Sequence, residues 1–192
     1  MSRLRRTLVL LAVGCSVVIA ALDVRAEDVG QVAHAVAPGG PLHSIAIPDC
    51  TLIDDNAAYN DADTTRTQAV RIGMISGELR AQLASRGLYR VADNTPAAPL
   101  IARLQSSQDL NACNGCEREI GRALGVERVG LCWVQKISNL ILNINLRVED
   151  VASGKTLFQR SVDMRGNTDQ SWRRASKSLL DLLEADKDAQ SR

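Results

Sequence analysis

The segment Asn139 to Glu149, NLILNINLRVE, alternates between apolar and polar side chains. Leu140, Leu142, Ile144, Leu146 and Val148 face one way, and Asn139, Asn143, Asn145, Arg147 and Glu149 face the other. A period of two is that of a β-strand with one face in a core and one face polar. Asp150-Val151-Ala152-Ser153-Gly154-Lys155 then makes a hairpin turn, and Thr156 to Met164 returns with Phe158, Val162 and Met164 inward. The chain must therefore build a sheet, and the rest of it must supply a cover for the apolar face.

The preceding residues supply that cover. Ser44 to Asp54, SIAIPDCTLID, is an apolar run ending in acids, the pattern of a buried first strand. After a turn-rich stretch, Thr64 or Thr65 is placed to cap a helix running to about Ser85, with Ile72, Ile75, Leu79 and Leu83 on one face. Leu88 to Asp93 reads as a second strand, and Thr95-Pro96 starts a helix striped by Leu100, Ile101 and Leu104. A helix opening at Cys113-Asn114-Gly115-Cys116 closes at Gly125, and Glu127 to Ile137 is a third strand. Asn167-Thr168-Asp169 caps a last helix with a stripe of Trp172, Ala175, Leu179 and Leu183, before a charged, frayed tail after Glu184.

The order β-α-β-α-α-β-β-β-α predicts an α/β (α+β) fold around a mixed five-stranded sheet. Its first strands are joined through helices and so run parallel, while the last three form an antiparallel meander. Aromatic residues are only 3% of the chain, so the core is expected to consist of Leu, Ile, Val and Ala.

The amino terminus carries an address. Arg3, Arg5 and Arg6 precede an apolar run from Leu8 to Leu22, followed by Val24-Arg25-Ala26, the pattern of a secretory signal peptide cleaved after Ala26. A lipoprotein acylated at Cys15 is the alternative; an uncleaved anchor is a third, although the span is shorter than the ~20 residues a bilayer needs. Residues 27–43 then read as a flexible lead-in, 44–184 as one domain and 185–192 as a charged tail. Removing 26 of 192 residues, with four of 23 basic and one of 22 acidic side chains, leaves 166 residues with 19 basic and 21 acidic. That balance argues against a nucleic-acid binder.

Four cysteines remain, Cys50, Cys113, Cys116 and Cys132, and an even count in an exported chain favours disulfides. Cys113 and Cys116 form a C-x-x-C that is open to three readings: a structural crosslink, a redox pair, or part of a metal site. Glu117 and Glu119 disfavour a thiolate, since a nearby carboxylate raises a thiol's pKa. Zinc would need two more ligands, and neither histidine, His34 nor His43, is suitably spaced. Glu117 stands where haem attachment requires histidine. Cys50 and Cys132 are a possible second bridge if the first and third strands are neighbours.

The densest polar cluster is Ser161 to Arg174, SVDMRGNTDQSWRR. Capping accounts for Asn167, Thr168 and Asp169. Asp163, Arg165, Arg173 and Arg174 are left over, so that this corner, with Asp163, Arg165, Asn167, Asp169 and Arg173, is a candidate recognition site. Asn139, Asn143 and Asn145 are a second candidate, because asparagine is a poor strand former and three in a row need a reason. No nucleophile motif, phosphate-binding glycine loop or acid pair is present, so no catalytic residue, metal ligand or cofactor is assigned.

The strings IAIPDCTLIDD, RVADNTP, CNGCEREIGRALGVERV, WVQKISNLILNINLRVEDVASGKTL and VDMRGNTDQSWRR resemble an uncharacterised family of small exported bacterial proteins, domain of unknown function 3280, also filed as 2380. The resemblance spans roughly Ser44 to Leu183 and brings no catalytic residue. Cys113 and Cys116 match its C-x-x-C; Cys50 and Cys132 depart from its usual pattern. More distantly, the element order is similar to periplasmic domains of the curli secretion lipoprotein, the penicillin-binding-protein activator lipoproteins and the amino-terminal domain of the Tol-Pal translocation protein. The resemblance implies a periplasmic, non-enzymatic accessory domain binding an envelope protein or a small ligand, with the quinoprotein alcohol oxidation system as one implied partner. The rival expectations are a thiol-disulfide oxidoreductase using Cys113 and Cys116, and a metal-binding or delivery protein.

Overall fold

The computed structural model describes residues 41–190. The expected signal peptide, Cys15, His34 and most of the lead-in lie outside the described residues. The elements are β1 (Ser44–Ala46), β2 (Thr51–Asp54), α1 (Ala62–Ser85), β3 (Arg90–Val91), α2 (Ala98–Ser107), α3 (Cys116–Leu124), β4 (Arg128–Lys136), β5 (Ile141–Asp150), β6 (Thr156–Arg165) and α4 (Asp169–Gln190).

They form one open, mixed sheet in the order β3-β1-β4-β5-β6, with β2 continuing beside β4 past the end of β1. β1 runs parallel to β3 and β4, and β2 parallel to β4, whereas β4, β5 and β6 are antiparallel. The parallel-then-meander expectation holds. The single first strand does not: it breaks into β1 and β2, giving six strands in five positions. Pro48 has no N–H to offer a ladder. The Ile47 carbonyl is instead capped by side chains, Asn94 Nδ2 at 2.6 Å and Arg80 Nη1 at 3.1 Å.

Strand parity explains how both faces are covered. Cys132, Val134, Leu142, Ile144, Leu146 and Val148 pack with Ile75 and Leu79 of α1 and with Trp172, Leu179 and Leu183 of α4 in the larger core. Val129 and Leu131, one residue out of phase, pack with Ile101 and Leu104 of α2 and Ile120 of α3 in a smaller core. α3 rests closely on the sheet because Gly121 has no side chain; a Cβ there would collide with Val151 and Val129.

Several local boundaries differ from expectation. Asp61 caps α1, its side chain accepting from Thr64 N at 2.7 Å, rather than Thr64 or Thr65 capping it. The second strand shrinks to Arg90–Val91. α4 runs to Gln190, past Glu184, with Lys187 Nζ over the Tyr89 ring at 3.7 Å. Leu140 lies in the β4–β5 turn, 73% exposed, so it does not join the inward row.

Candidate functional site

The smaller core covers only part of its face. β4, β5 and β6 continue beyond α2 and α3, so the odd-numbered residues further along them stay accessible. In one cross-strand row Ile53, Gln135, Asn143 and Asp163 lie opposite one another; in the next, Thr51, Trp133, Asn145 and Ser161 do. None of these eight is fully buried. Asn145 Nδ2 donates to Asn143 Oδ1 at 2.6 Å, which ties the two amides together on the polar face. Ile141 lies opposite Arg165 at the end of the rows, and Ile137, Leu140 and Ile141 are exposed there.

The expected asparagine row is thus shorter than predicted. Asn143 and Asn145 share the open face, but Asn139 precedes β5 and instead meets the start of α4, where Asn167 Nδ2 donates to Asn139 Oδ1 at 3.4 Å. Asn167 also accepts from Trp172 Nε1 at 2.8 Å and Arg71 Nη1 at 3.1 Å. Arg71 Nε lies 2.7 Å from Asp169 Oδ1, and its hydrogen bond holds the Asp169 carboxyl below its ordinary range. Asn139, Asn167 and Asp169 therefore come together around Arg71 of α1, beside a cleft of about 380 Å³ that Gln68 also lines. Arg173 points away from them and pairs with Glu78. The polar stretch Asp163 to Arg174 is divided between the open face (Asp163, Arg165), the Arg71 corner (Asn167, Asp169) and the helical face (Arg173).

Beyond Gln68 is a buried ion pair. Lys136 lies on the inward parity of β4, after Cys132 and Val134, so its ammonium needs a partner in the core. Asp54 of β2 supplies it and also accepts from Asn60 Nδ2 at 2.7 Å and Gln68 Nε2 at 3.2 Å. Burial pushes the Asp54 carboxyl up, but the hydrogen bonds from Lys136, Asn60 and Asn56 outweigh it and bring its pKa down to about 2.

The cysteines are paired as Cys50–Cys132 and Cys113–Cys116. The first bridge joins the β1–β2 break to β4, with Cα atoms 4.5 Å apart. In the second, Cys116 rather than Cys113 opens the helix; Cys113 lies in the preceding turn, and Gly115 makes the link at φ +96°. The helix dipole therefore acts on Cys116. Gln108 Nε2 lies 2.9 Å from Cys113 Sγ and 3.3 Å from Cys116 Sγ, and both cysteines are buried.

Beneath α3, Glu117 and Glu149 are buried side by side, although Glu149 reads from sequence as part of the polar face. Burial first, and then the negative charge of Glu117, raise the Glu149 pKa. Arg147 Nε lies 2.7 Å from Glu149 Oε1, and its Nη1 donates to the Asn111 carbonyl at 3.2 Å, tying β5 to the loop before the second bridge. Among the described residues no group of three or more His, Cys, Asp or Glu is arranged to hold a metal ion, and no helix is long and apolar enough to cross a membrane.

Sequence reading missed Arg71, Trp133, the Asp54–Lys136 pair and the Glu117–Glu149 pair. A lysine in the apolar phase of β4 was the one available signal; the others depend on contacts between distant segments.

No curated protein sequence matches the chain. Solved structures to which it is similar include the LpoB C-terminal domain from Salmonella enterica, at 13% identity over 64% of this chain and 82% of that one, with a TM-score of 0.46. Lipoprotein GNA1162 from Neisseria meningitidis aligns at 17% identity over 66% and 82%, TM-score 0.44. TolB from Acinetobacter baumannii aligns at 14% identity over 71% of this chain and 27% of TolB, TM-score 0.39. One family model matches residues 43–182, which is most of the chain and nearly all of the described domain. The chain belongs to that family, DUF3280, described as a protein of unknown function (DUF2380).

Proposed function

We propose that this chain is an exported, non-enzymatic accessory domain that recognises another envelope protein through the open sheet face and the adjoining Asp163 to Asp169 corner. The observation that carries the reading is the uncovered part of β4, β5 and β6. There a half-buried Trp133 lies among Asn143, Asn145, Gln135 and Asp163, next to exposed Ile137, Leu140 and Ile141. An aromatic anchor, a few apolar side chains and a hydrogen-bonding surround make up the usual anatomy of a protein interface. The amides held by Asn145 and the Arg71 corner are pre-ordered, which lowers the entropy lost on docking.

Export is carried by the amino-terminal sequence alone: a basic start, an apolar run and Val24-Arg25-Ala26. Quinoprotein alcohol oxidation enters as a partner only through the family resemblance, and no feature of the face selects it. Affinity capture of the tagged chain from its native periplasm tests the function. An envelope protein should be recovered with the parent chain and lost with Trp133→Ser together with Asn143→Ala; equal recovery with both chains would sink the reading.

The rival is a thiol-disulfide oxidoreductase using Cys113 and Cys116, favoured by the position of Cys116 at a helix start. Burial of both sulfurs and of Glu117 beside them weighs against a readily formed thiolate.

A further inference from the structure

β6 is the last strand of the sheet, and among the described residues β5 is its only strand neighbour. It is ten residues long, Thr156–Arg165. An edge of that length presents a row of free N–H and C=O groups, and native proteins normally blunt such edges with proline, lysine, bulges or a covering segment. β6 contains no proline, its charged side chains are Arg160, Asp163 and Arg165, and its pairing irregularity is confined to the level of Val148 and Glu149, near its start. Apart from the ladder to β5, the one side-chain hydrogen bond to the β6 backbone among the described residues is Arg160 Nη1 to the Gln159 carbonyl at 2.8 Å.

The charges beside this edge are unbalanced. A groove of about 280 Å³ between β6 and α4 is lined by Asp163, Arg165, Ser171 and Arg174 among others. Arg165 and Arg174 are exposed, and neither has an ion-pair partner among the described residues. Arg173, by contrast, is taken by Glu78. Two uncompensated guanidiniums against one carboxylate leave the edge cationic, which disfavours the same edge of a second copy and favours an acidic strand.

We propose that β6 is an acceptor edge: an extended, acidic segment of the partner protein adds to it as a further strand, with its carboxylates on Arg165 and Arg174. This rests on the protein-recognition reading above and names its mode. Strand addition takes affinity from main-chain hydrogen bonds and specificity from the side chains alongside. Here the guanidiniums supply that specificity, since they pair with carboxylates in a bidentate geometry.

The test uses the full chain and two capped ten-residue peptides, one repeating Val-Val-Glu-Glu, which sets carboxylates on both faces of the added strand, and the other repeating Val-Val-Lys-Lys. The glutamate peptide should slow amide hydrogen exchange across residues 156–165 and bind at least tenfold more tightly than the lysine peptide. Replacing Arg165→Glu and Arg174→Glu together, both at exposed positions, should leave the melting temperature unchanged and invert that preference. Absence of protection on β6, equal affinity for the two peptides, or a free chain that sediments as a dimer with residues 156–165 already protected from exchange would each overturn the proposal. If crosslinks from Asn143 to an envelope protein persist while the peptides fail, only the strand-addition mode is lost.

Discussion

Lys136 Nζ donates to Asp54 Oδ2 across 2.7 Å, and both side chains are 3% exposed. Breaking such a pair from one side leaves a bare buried charge, so Lys136→Met should cost about 3–5 kcal/mol in urea unfolding. Removing Asp54 as well should recover part of that loss, because the stranded carboxylate goes with it; Asn60 and Gln68 remain without their acceptor. A cost below about 1 kcal/mol for the single variant would mean that the pair is solvated.

Acid should weaken the fold through the same group. Asp54 has its pKa lowered from 3.8 to about 2, so its contribution is full above the unfolded value and is lost as pH falls from about 4 towards 2. Melting temperature followed over that window should drop more steeply in the parent chain than in Asp54→Asn.

Glu149 acts with the opposite sign. Burial and the Glu117 charge raise its pKa above 4.5, so the folded state holds a proton that the unfolded chain releases. Its contribution is present at and below pH 4.5 and is lost as pH rises through the raised folded value. Glu149→Gln should therefore stabilise the protein at neutral pH and flatten the pH dependence above 4.5, read by thermal unfolding. A Gln variant less stable than the parent at pH 7 would show that the Arg147 pairing outweighs the repulsion.

The two bridges should differ in worth. Cys50 and Cys132 are 82 residues apart, whereas Cys113 and Cys116 are separated by three. In the chain-entropy account the longer loop stabilises by about 4.5 kcal/mol and the shorter by about 2. Replacing each pair by alanine should reproduce that order in unfolding experiments. The Cys113–Cys116 couple should also have a reduction potential below about −300 mV, and a value in the oxidoreductase range would support the rival function.

Much of the fold was legible in the chain because periodicity reports burial. Leu142, Ile144, Leu146 and Val148 announced β5, and the stripe of Ile75, Leu79 and Leu83 announced α1. The failures have physical causes. The apolar run around Pro48 looked continuous, yet its missing N–H and the side-chain caps on Ile47 split the strand. Leu140 kept the alternating pattern but lay beyond the ladder, in the turn where Ser138 Oγ accepts from the backbone N–H of Leu140 and Ile141. The Arg71 corner was illegible because Arg71 and Asp169 are 98 positions apart, and only the packing of α1 against α4 brings them together.

Site-specific photocrosslinking in intact cells reads out whether the open face of the sheet meets an envelope protein. A photoreactive residue replacing Asn143 on the open face is compared with one at Ala84, an exposed position on α1. Asn143 should give a discrete crosslink to an envelope protein, and Ala84 should give none. Crosslinks of equal yield at both positions, or none at Asn143 in cells where the chain is exported and folded, would contradict the account.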